Sequence, residues 1–210
     1  MERKDQHYYT QFPDAKLKIY TVSPSLRKHL YVFKTVTGIY SYKKIDLGTK
    51  ILIEQMTIPN DPSVILDLGC GYGPIGIVLG YESPDSKVYL IDINKRATWC
   101  ANENVKLNIP NYKKRVFVFS GNYFEPLKNK DLKFDGIYMN PPLRQGRKDF
   151  LHVCNEITHY LKPKGFFQFV IKKKMGAPFI LRHLRTSLPT NEITVICKRS
   201  GFWVFNYFQD

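Results

Sequence analysis

From Val64 onward the chain alternates short runs rich in β-branched and aromatic residues with longer mixed segments, and this alternation restricts the fold more than any other feature. Short apolar runs separated by stretches long enough for a crossover helix are the pattern of repeated β-α units, which build a mostly parallel sheet. The strand candidates are VILDLG, KVYLID, RVFVFS, FDGIYMN and GFFQFVIK, and the helix candidates between them are PIGIVLGY, KRATWCANENVKLN and RKDFLHVCNEITHYL. Pro74 suits a first helical turn, while Pro110 and Pro163 follow the ends of the other two helices. The tail breaks the rhythm: only about Ser200 and Gly201 separate NEITVICKR from GFWVFNYF, too little for a helix, so these two runs pair antiparallel. The expected fold is α/β, with a seven-stranded, mostly parallel sheet closed by a terminal antiparallel hairpin, rather than a six-stranded all-parallel dinucleotide fold.

Residues 1–62 read differently. HYYTQFPDAKLKIYTVSP is irregular, LYVFKTVTGIYSYK reads as two strands around Gly38, and GTKILIEQM reads as a short helix. Together they form an appendage to a catalytic unit over residues 63–210. No apolar run approaches the roughly 20 residues of a membrane span, and MERKDQHYYT lacks the apolar region of a secretory signal, so a cytoplasmic protein with no membrane partner is expected. Cys70, Cys100, Cys154 and Cys197 form no C-x-x-C pair, which indicates neither a disulfide framework nor a metal cage. Lys and Arg number 32 against 18 Asp and Glu, a formal charge of +14, and that balance points to a polyanionic partner, nucleic acid first.

LDLGCGYGPIG, Leu66 to Gly76, follows the first strong strand and opens a helix, where close approach of a ligand to the backbone calls for glycine. Gly71, Gly73 and Gly76 satisfy G-x-G-x-x-G, which suggests NAD. Asp67 argues against a pyrophosphate, because a carboxylate beside the loop repels phosphate charge. S-adenosylmethionine has an α-ammonium and a sulfonium and no phosphate, so Gly69, Gly71 and Gly73 can receive it while Asp67 faces positive charge. Asp92 ends KVYLID, where an acidic side chain accepts ribose hydroxyls or caps the helix that follows.

A second motif is NPP, Asn140 to Pro142, at the end of FDGIYMN. The two rings fix the backbone after Asn140 and bring no N–H of their own, leaving the Asn140 side-chain oxygen and the Pro141 carbonyl as fixed acceptors at the ligand-binding edge of the sheet. Two acceptors suit an exocyclic NH2, whose lone pair is localised for attack when both protons are held. Methyl transfer to it then needs orientation and charge placement, with no metal ligand set required. NPP by itself suits any planar NH2, so adenine N6 and protein glutamine N5 stand beside guanine N2 as acceptors.

GIYSYKKIDLGTKIL, VILDLGCGYGPIGIVL, IDINKRA, GNYFE, NPPLRQGRK, VIKKKMGA and SGFWVF together resemble the small methyltransferase domain of small-subunit ribosomal RNA guanine-N2 methyltransferases and their archaeal single-domain relatives. The resemblance covers nearly everything from about residue 33. It implies a Rossmann-like class I methyltransferase, S-adenosylmethionine as cofactor, and transfer to the N2 amine of a guanine in RNA, with small-subunit ribosomal RNA or an assembly particle as partner. By position it implies Asp67, Gly69, Gly71 and Gly73 on the methionine side, Asp92 and Ile93 at the ribose, Asn122 at the adenine, Thr49 near the cofactor, and Asn140, Pro141, Pro142 and Leu143 at the acceptor amine. Arg144, Arg147, Lys172 and Lys174 then read as phosphate contacts. The family often has Asp at the place of Asn122 and Gln at that of Lys172. The bacterial enzymes also carry a degenerate duplicate domain ahead of this one, absent from this sequence, so substrate capture is expected from the basic surface, the appendage or the particle. An aliphatic Leu143 is more similar to the guanine-N2 group than to the adenine-N6 or protein-glutamine enzymes, and Tyr40 or Phe202 then offers a stacking surface.

Overall fold

The computed structural model describes residues 10–143, 146–187 and 193–209. In chain order its elements begin with β1 (Ile19–Val22), β2 (Ser25–Leu26), β3 (His29–Leu30), β4 (Phe33–Val36) and α1 (Leu47–Gln55). The repeated units follow: β5 (Val64–Leu68), α2 (Pro74–Glu82), β6 (Lys87–Asp92), α3 (Lys95–Asn108), β7 (Val116–Ser120), β8 (Phe134–Met139), α4 (Lys148–Tyr160) and β9 (Leu161–Lys172). The chain ends with α5 (Ala177–Ser187), β10 (Ile193–Arg199) and β11 (Phe202–Phe208).

The seven-stranded sheet has the order β10-β11-β9-β8-β5-β6-β7. β5, β6, β7, β8 and β9 run parallel, and β11 pairs antiparallel with both β9 and β10. Ser200 and Gly201 both have positive φ, 49° and 76°, which lets a two-residue turn follow the twist of the strands it joins. Successive strand residues point to opposite faces. Ile65, Leu90, Val170 and Val204 therefore pack under α1, α2 and α3, whereas Leu66, Ile91, Ile171 and Phe205 pack under α4 and α5. Burial on both faces explains why these strands read as continuous apolar runs.

The N-terminal segment differs from its sequence reading. Of the two strands expected around Gly38 only Phe33–Val36 forms, and its partner is Ile19–Val22, out of the stretch read as irregular. Gly38 instead turns the chain with φ +86°, and its carbonyl accepts a 2.8 Å bond from Asn94 Nδ2. A Cβ there would meet Pro13 and Arg96 Nη1 at 2.9 Å, so glycine is required for the approach. This turn sends Tyr40–Asp46 back over the sheet edge. Leu26, Tyr31, Phe33, Ile51 and Leu52 are fully buried or nearly so in the same core as α2 and α3, so the segment supplies part of one core layer. A second difference is α5. The alternation places no helix between GFFQFVIK and the hairpin, yet Ala177, Ile180 and Leu184 form a buried helical stripe.

Among the described residues no helix is long and apolar enough to cross a membrane, and no group of three or more His, Cys, Asp or Glu is placed to hold a metal ion.

Candidate active site

Strand ends converge at the carboxyl edge of the sheet, where a cavity of about 520 Å³ opens. At the end of β5, Gly69, Gly71 and Gly73 have φ of +74°, +58° and +94°, a backbone region that side chains disfavour. A Cβ added to Gly69 or Gly71 would meet nothing within 4 Å, since both face open cavity. Gly73 does not line the cavity; it starts α2, and a Cβ there would press on Ile77 and Leu90 at 3.0 and 3.2 Å. Gly76 has a packing role too, with Leu90 Cγ 2.7 Å from where its Cβ would stand.

Asp92 ends β6 on the cavity wall. Its Oδ2 accepts the Gly71 N–H and its Oδ1 the Asn94 N–H, each at 2.8 Å. The cap of α3 is Asn94, whose Oδ1 accepts the Arg96 and Ala97 N–H groups. Asp92 is thereby free of the capping role and ties the glycine loop to the next strand. Burial pushes its carboxyl up while the two N–H donors pull it down. Ile93 follows it on the wall, and Asn122, exposed beyond β7, borders the same space.

Asp67 is placed elsewhere. It is fully buried and off the cavity wall, and its Oδ2 accepts the Gly76 N–H at 2.8 Å while Oδ1 has no hydrogen-bond partner. Burial, with Asp92 nearby and against the Gly76 bond, raises its pKa from 3.8 to about 7. The expected direct face toward a cationic ligand is therefore not its setting. Its carboxyl holds the start of α2 beneath the loop. Cys70 lines the cavity, but burial, with Asp67 and Asp92 beside it, pushes its thiol well up, which keeps it protonated and a poor nucleophile.

On the other side of the cavity, β8 ends at Met139 and delivers Asn140, Pro141, Pro142 and Leu143 to the wall. The Leu143 N–H donates to the Pro141 carbonyl at 2.9 Å, which folds the segment tightly and leaves that oxygen one further lone pair. Asn140 Nδ2 donates to Thr49 Oγ1 at 2.8 Å and to Asp46 Oδ2 at 3.0 Å. Both amide protons are used, so the side-chain oxygen is what Asn140 has left to offer. Thr49, expected near the cofactor, lines the cavity and holds Asn140 at the same time.

Asp46 is the residue that the sequence reading missed. It caps α1, accepting the Thr49 N–H at 3.1 Å, and also accepts the Tyr40 hydroxyl at 2.8 Å. An Asp just before an apolar helical run is a capping signal, but nothing local reveals a link to Asn140, 94 positions later. Among the basic residues, Lys172 borders the cavity with its Nζ 5.4 Å from the Phe202 ring centre. Arg147 stacks on Phe179 at 4.3 Å, and Lys174 is exposed in the turn after β9; neither lines the cavity. Arg144 lies outside the described residues. Tyr40 and Phe202 stand on the cavity wall near Asp46 and Lys172.

The loop and carboxylate fit S-adenosylmethionine: Gly69 and Gly71 leave an open cradle that a Cβ would fill, and Asp92 presents acceptors beside it. Comparison with known proteins agrees. Residues 30–206 match the family described as methyltransferase small domain. Uncharacterized protein YbxB of Bacillus subtilis is 34% identical over 200 residues, 95% of this chain and 96% of its own length. The ribosomal RNA small subunit methyltransferase C of Buchnera aphidicola from Acyrthosiphon pisum is 30% identical over 173 residues, 79% of this chain and 49% of that protein. This chain thus spans about half the length of that relative. The release factor glutamine methyltransferase of Aquifex aeolicus is 43% identical over 172 residues, 69% of this chain and 59% of its own. Among solved structures, the 16S rRNA N2 methyltransferase RsmC of T. thermophilus, in complex with AdoMet and guanosine, superimposes with a TM-score of 0.72 at 17% identity, over 94% of this chain and 52% of that one.

Proposed function

The chain belongs to the methyltransferase small-domain family and is an S-adenosylmethionine-dependent methyltransferase, and we propose that it methylates the exocyclic N2 amine of a guanine in RNA, with small-subunit ribosomal RNA as the substrate class. The observation that carries the amine-acceptor part of this reading is Asn140, whose amide nitrogen is fully engaged by Thr49 and Asp46 and whose oxygen is left for an acceptor NH2; the choice of guanine over adenine or glutamine rests on the aliphatic Leu143 and the sequence resemblance. The relative from Buchnera, a ribosomal RNA small subunit methyltransferase by name, supports the RNA assignment.

When bound, the cofactor supplies an electrophilic methyl group. The chain supplies placement. Gly69 and Gly71 let a ligand lie against the loop backbone, Asp92 offers its carboxylate to ribose hydroxyls, and Ile93 and Asn122 flank the base. Asn140 and the remaining lone pair of Pro141 each accept a hydrogen from the substrate NH2, which favours the pyramidal amine with a localised lone pair. Asn140 is no base at neutral pH, so its work is to hold the amine. Leu143 closes the acceptor side without an aromatic ring, while Tyr40 and Phe202 supply aromatic surface for a base. Lys172, Lys174 and Arg147 are assigned to phosphates, residues 63–210 to the catalytic unit, and residues 1–62 to an appendage that completes the site.

Protein-glutamine N5 transfer is the second reading, favoured by the Aquifex relative. The deciding experiment incubates the purified protein with labelled S-adenosylmethionine and, separately, small-subunit particles, naked ribosomal RNA or a protein extract, then analyses the labelled product. N2-methylguanosine is expected. Label in N6-methyladenosine or in protein overturns the acceptor assignment and leaves the methyltransferase in place.

A further inference from the structure

The Asn140 amide has two ends, and only the oxygen end can receive an NH2. We infer that Asp46, together with Thr49, is a positioning residue that fixes which end of Asn140 faces the acceptor. The inference rests on the reading of Asn140 as the group that holds the acceptor amine.

The geometry is specific. Asp46 Oδ2 and Thr49 Oγ1 stand 3.0 and 2.8 Å from Asn140 Nδ2, one for each amide proton. Asp46 is itself held, by the Thr49 N–H on Oδ2 and by the Tyr40 hydroxyl on Oδ1. An ionised carboxylate only accepts. Rotating the Asn140 amide by half a turn would set its oxygen against Asp46 Oδ2 and present an NH2 to the substrate's NH2, with acceptor facing acceptor on one side and donor facing donor on the other. Both contacts oppose the rotation in a partly buried site, where an unmatched polar pair is costly. Asp46 caps α1 and Thr49 lies in its first turn, so the N-terminal segment sets the polarity of a residue that follows β8. Gly48, between them, has no room for a side chain: a Cβ would lie 2.9 Å from Phe202 Cε1 and 3.0 Å from Asp46 Oδ2, so this turn is packed in place.

Exchanging the two side chains tests the inference. Asn140→Asp sets a second carboxylate against Asp46 and removes both donors. Asp46→Asn keeps an oxygen toward Thr49 and Asn140 by turning its nitrogen to the Tyr40 hydroxyl, which can accept. In the double variant the new amide donates to the new carboxylate and gives up the Thr49 capping bond, so recovery is partial. With small-subunit ribosomal RNA and labelled S-adenosylmethionine, turnover is expected to fall less than about fivefold for Asp46→Asn and at least about 100-fold for Asn140→Asp, with the double variant at least about fivefold above Asn140→Asp. A double variant no better than Asn140→Asp overturns the inference.

A second readout needs no substrate. In isotope-labelled protein the Asn140 side-chain amide signals, identified by their loss in Asn140→Ala, should exchange with water at least about tenfold faster when both Asp46→Ala and Thr49→Ala are introduced. Unchanged exchange also overturns it. Asn140→Ala separates this inference from the one beneath it. Retained turnover removes Asn140 from the chemistry. Lost turnover with no recovery in the exchanged pair removes only Asp46 from its role.

Discussion

Two aspartates end adjacent strands of the same sheet, and their surroundings give them different work. Asp92 has backbone donors on both oxygens and a face on the cavity, whereas Asp67 has one donor and a second oxygen with no partner. A buried carboxylate short of donors holds its proton, which is why the pKa of Asp67 rises to about 7. In the unfolded chain the same group titrates near 3.8. Between those values the folded protein keeps a proton that the unfolded chain has released, so stability falls as pH rises through the window, by up to ~1.4 kcal/mol per pH unit. Asp67→Asn keeps an oxygen for the Gly76 N–H and removes the titration. Urea unfolding at several pH values from 4 to 8 should show the wild type losing more stability with rising pH than the variant. Parallel curves would mean that Asp67 is ionised throughout.

At the scale of elements, the glycine loop and the helix after it divide a function that G-x-G-x-x-G merges. Gly71→Ala puts a methyl group into open cavity at a φ of +58°, which costs ~1–2 kcal/mol of stability and obstructs the cofactor cradle. Gly76→Ala drives a methyl group to within 2.7 Å of Leu90 Cγ, at a residue that does not itself line the cavity, and overpacks the α2–β6 contact by ~1–3 kcal/mol. Calorimetric titration should therefore find the S-adenosylmethionine Kd raised at least about tenfold by Gly71→Ala and within about twofold of wild type for Gly76→Ala. Thermal melting should show a loss in both. Equal loss of affinity would mean that the whole turn, not its cavity face, recognises the cofactor. This division also marks what the sequence can reveal. The β5–α2, β6–α3 and β8–α4 units were legible because each is a local pattern with its own start and stop signals, and so were the loop, Asp92 and NPP at their strand ends. β1 escaped because IYTV finds its partner only when the turn at Gly38 brings FKTV beside it, and α5 because its stripe of Ala177, Ile180 and Leu184 is short and interrupted by charges. Asp46 was legible as a cap and illegible as a partner of Asn140, since a hydrogen bond between residues 94 apart leaves no local trace.

Across the whole molecule the sheet edge is divided by charge. The β5, β6 and β7 ends carry the glycine loop, Asp92 and Asn122, while the β8 and β9 ends carry Arg147, Lys172 and Lys174, and the end of β10 adds Lys198 and Arg199. Lys172 on the cavity rim, with Arg147, Lys174, Lys198 and Arg199 outside the cavity on the same side, would suit an RNA whose phosphates follow the β8–β10 side. The net charge of +14 alone also attracts RNA to any face, so contact and field must be separated. Lys113 and Lys114 provide the means, because they precede β7 at the opposite edge of the sheet. Reversing Lys172 and Lys174 to Glu, or Lys113 and Lys114 to Glu, changes the charge by the same four units, from +14 to +10 (14 − 4). Each lost contact to single-stranded RNA lowers the steepness of log K against log salt by ~0.7, so the Lys172/Lys174 pair should lose about 1.4 and bind RNA more weakly, while the Lys113/Lys114 pair keeps its slope. Filter binding at four or five salt concentrations measures both slopes at once. Equal flattening in the two variants would assign the attraction to the overall field and take Lys172 and Lys174 out of the RNA path; flattening confined to the Lys172/Lys174 pair would place the phosphates beside Asn140, the residue proposed to hold the acceptor amine.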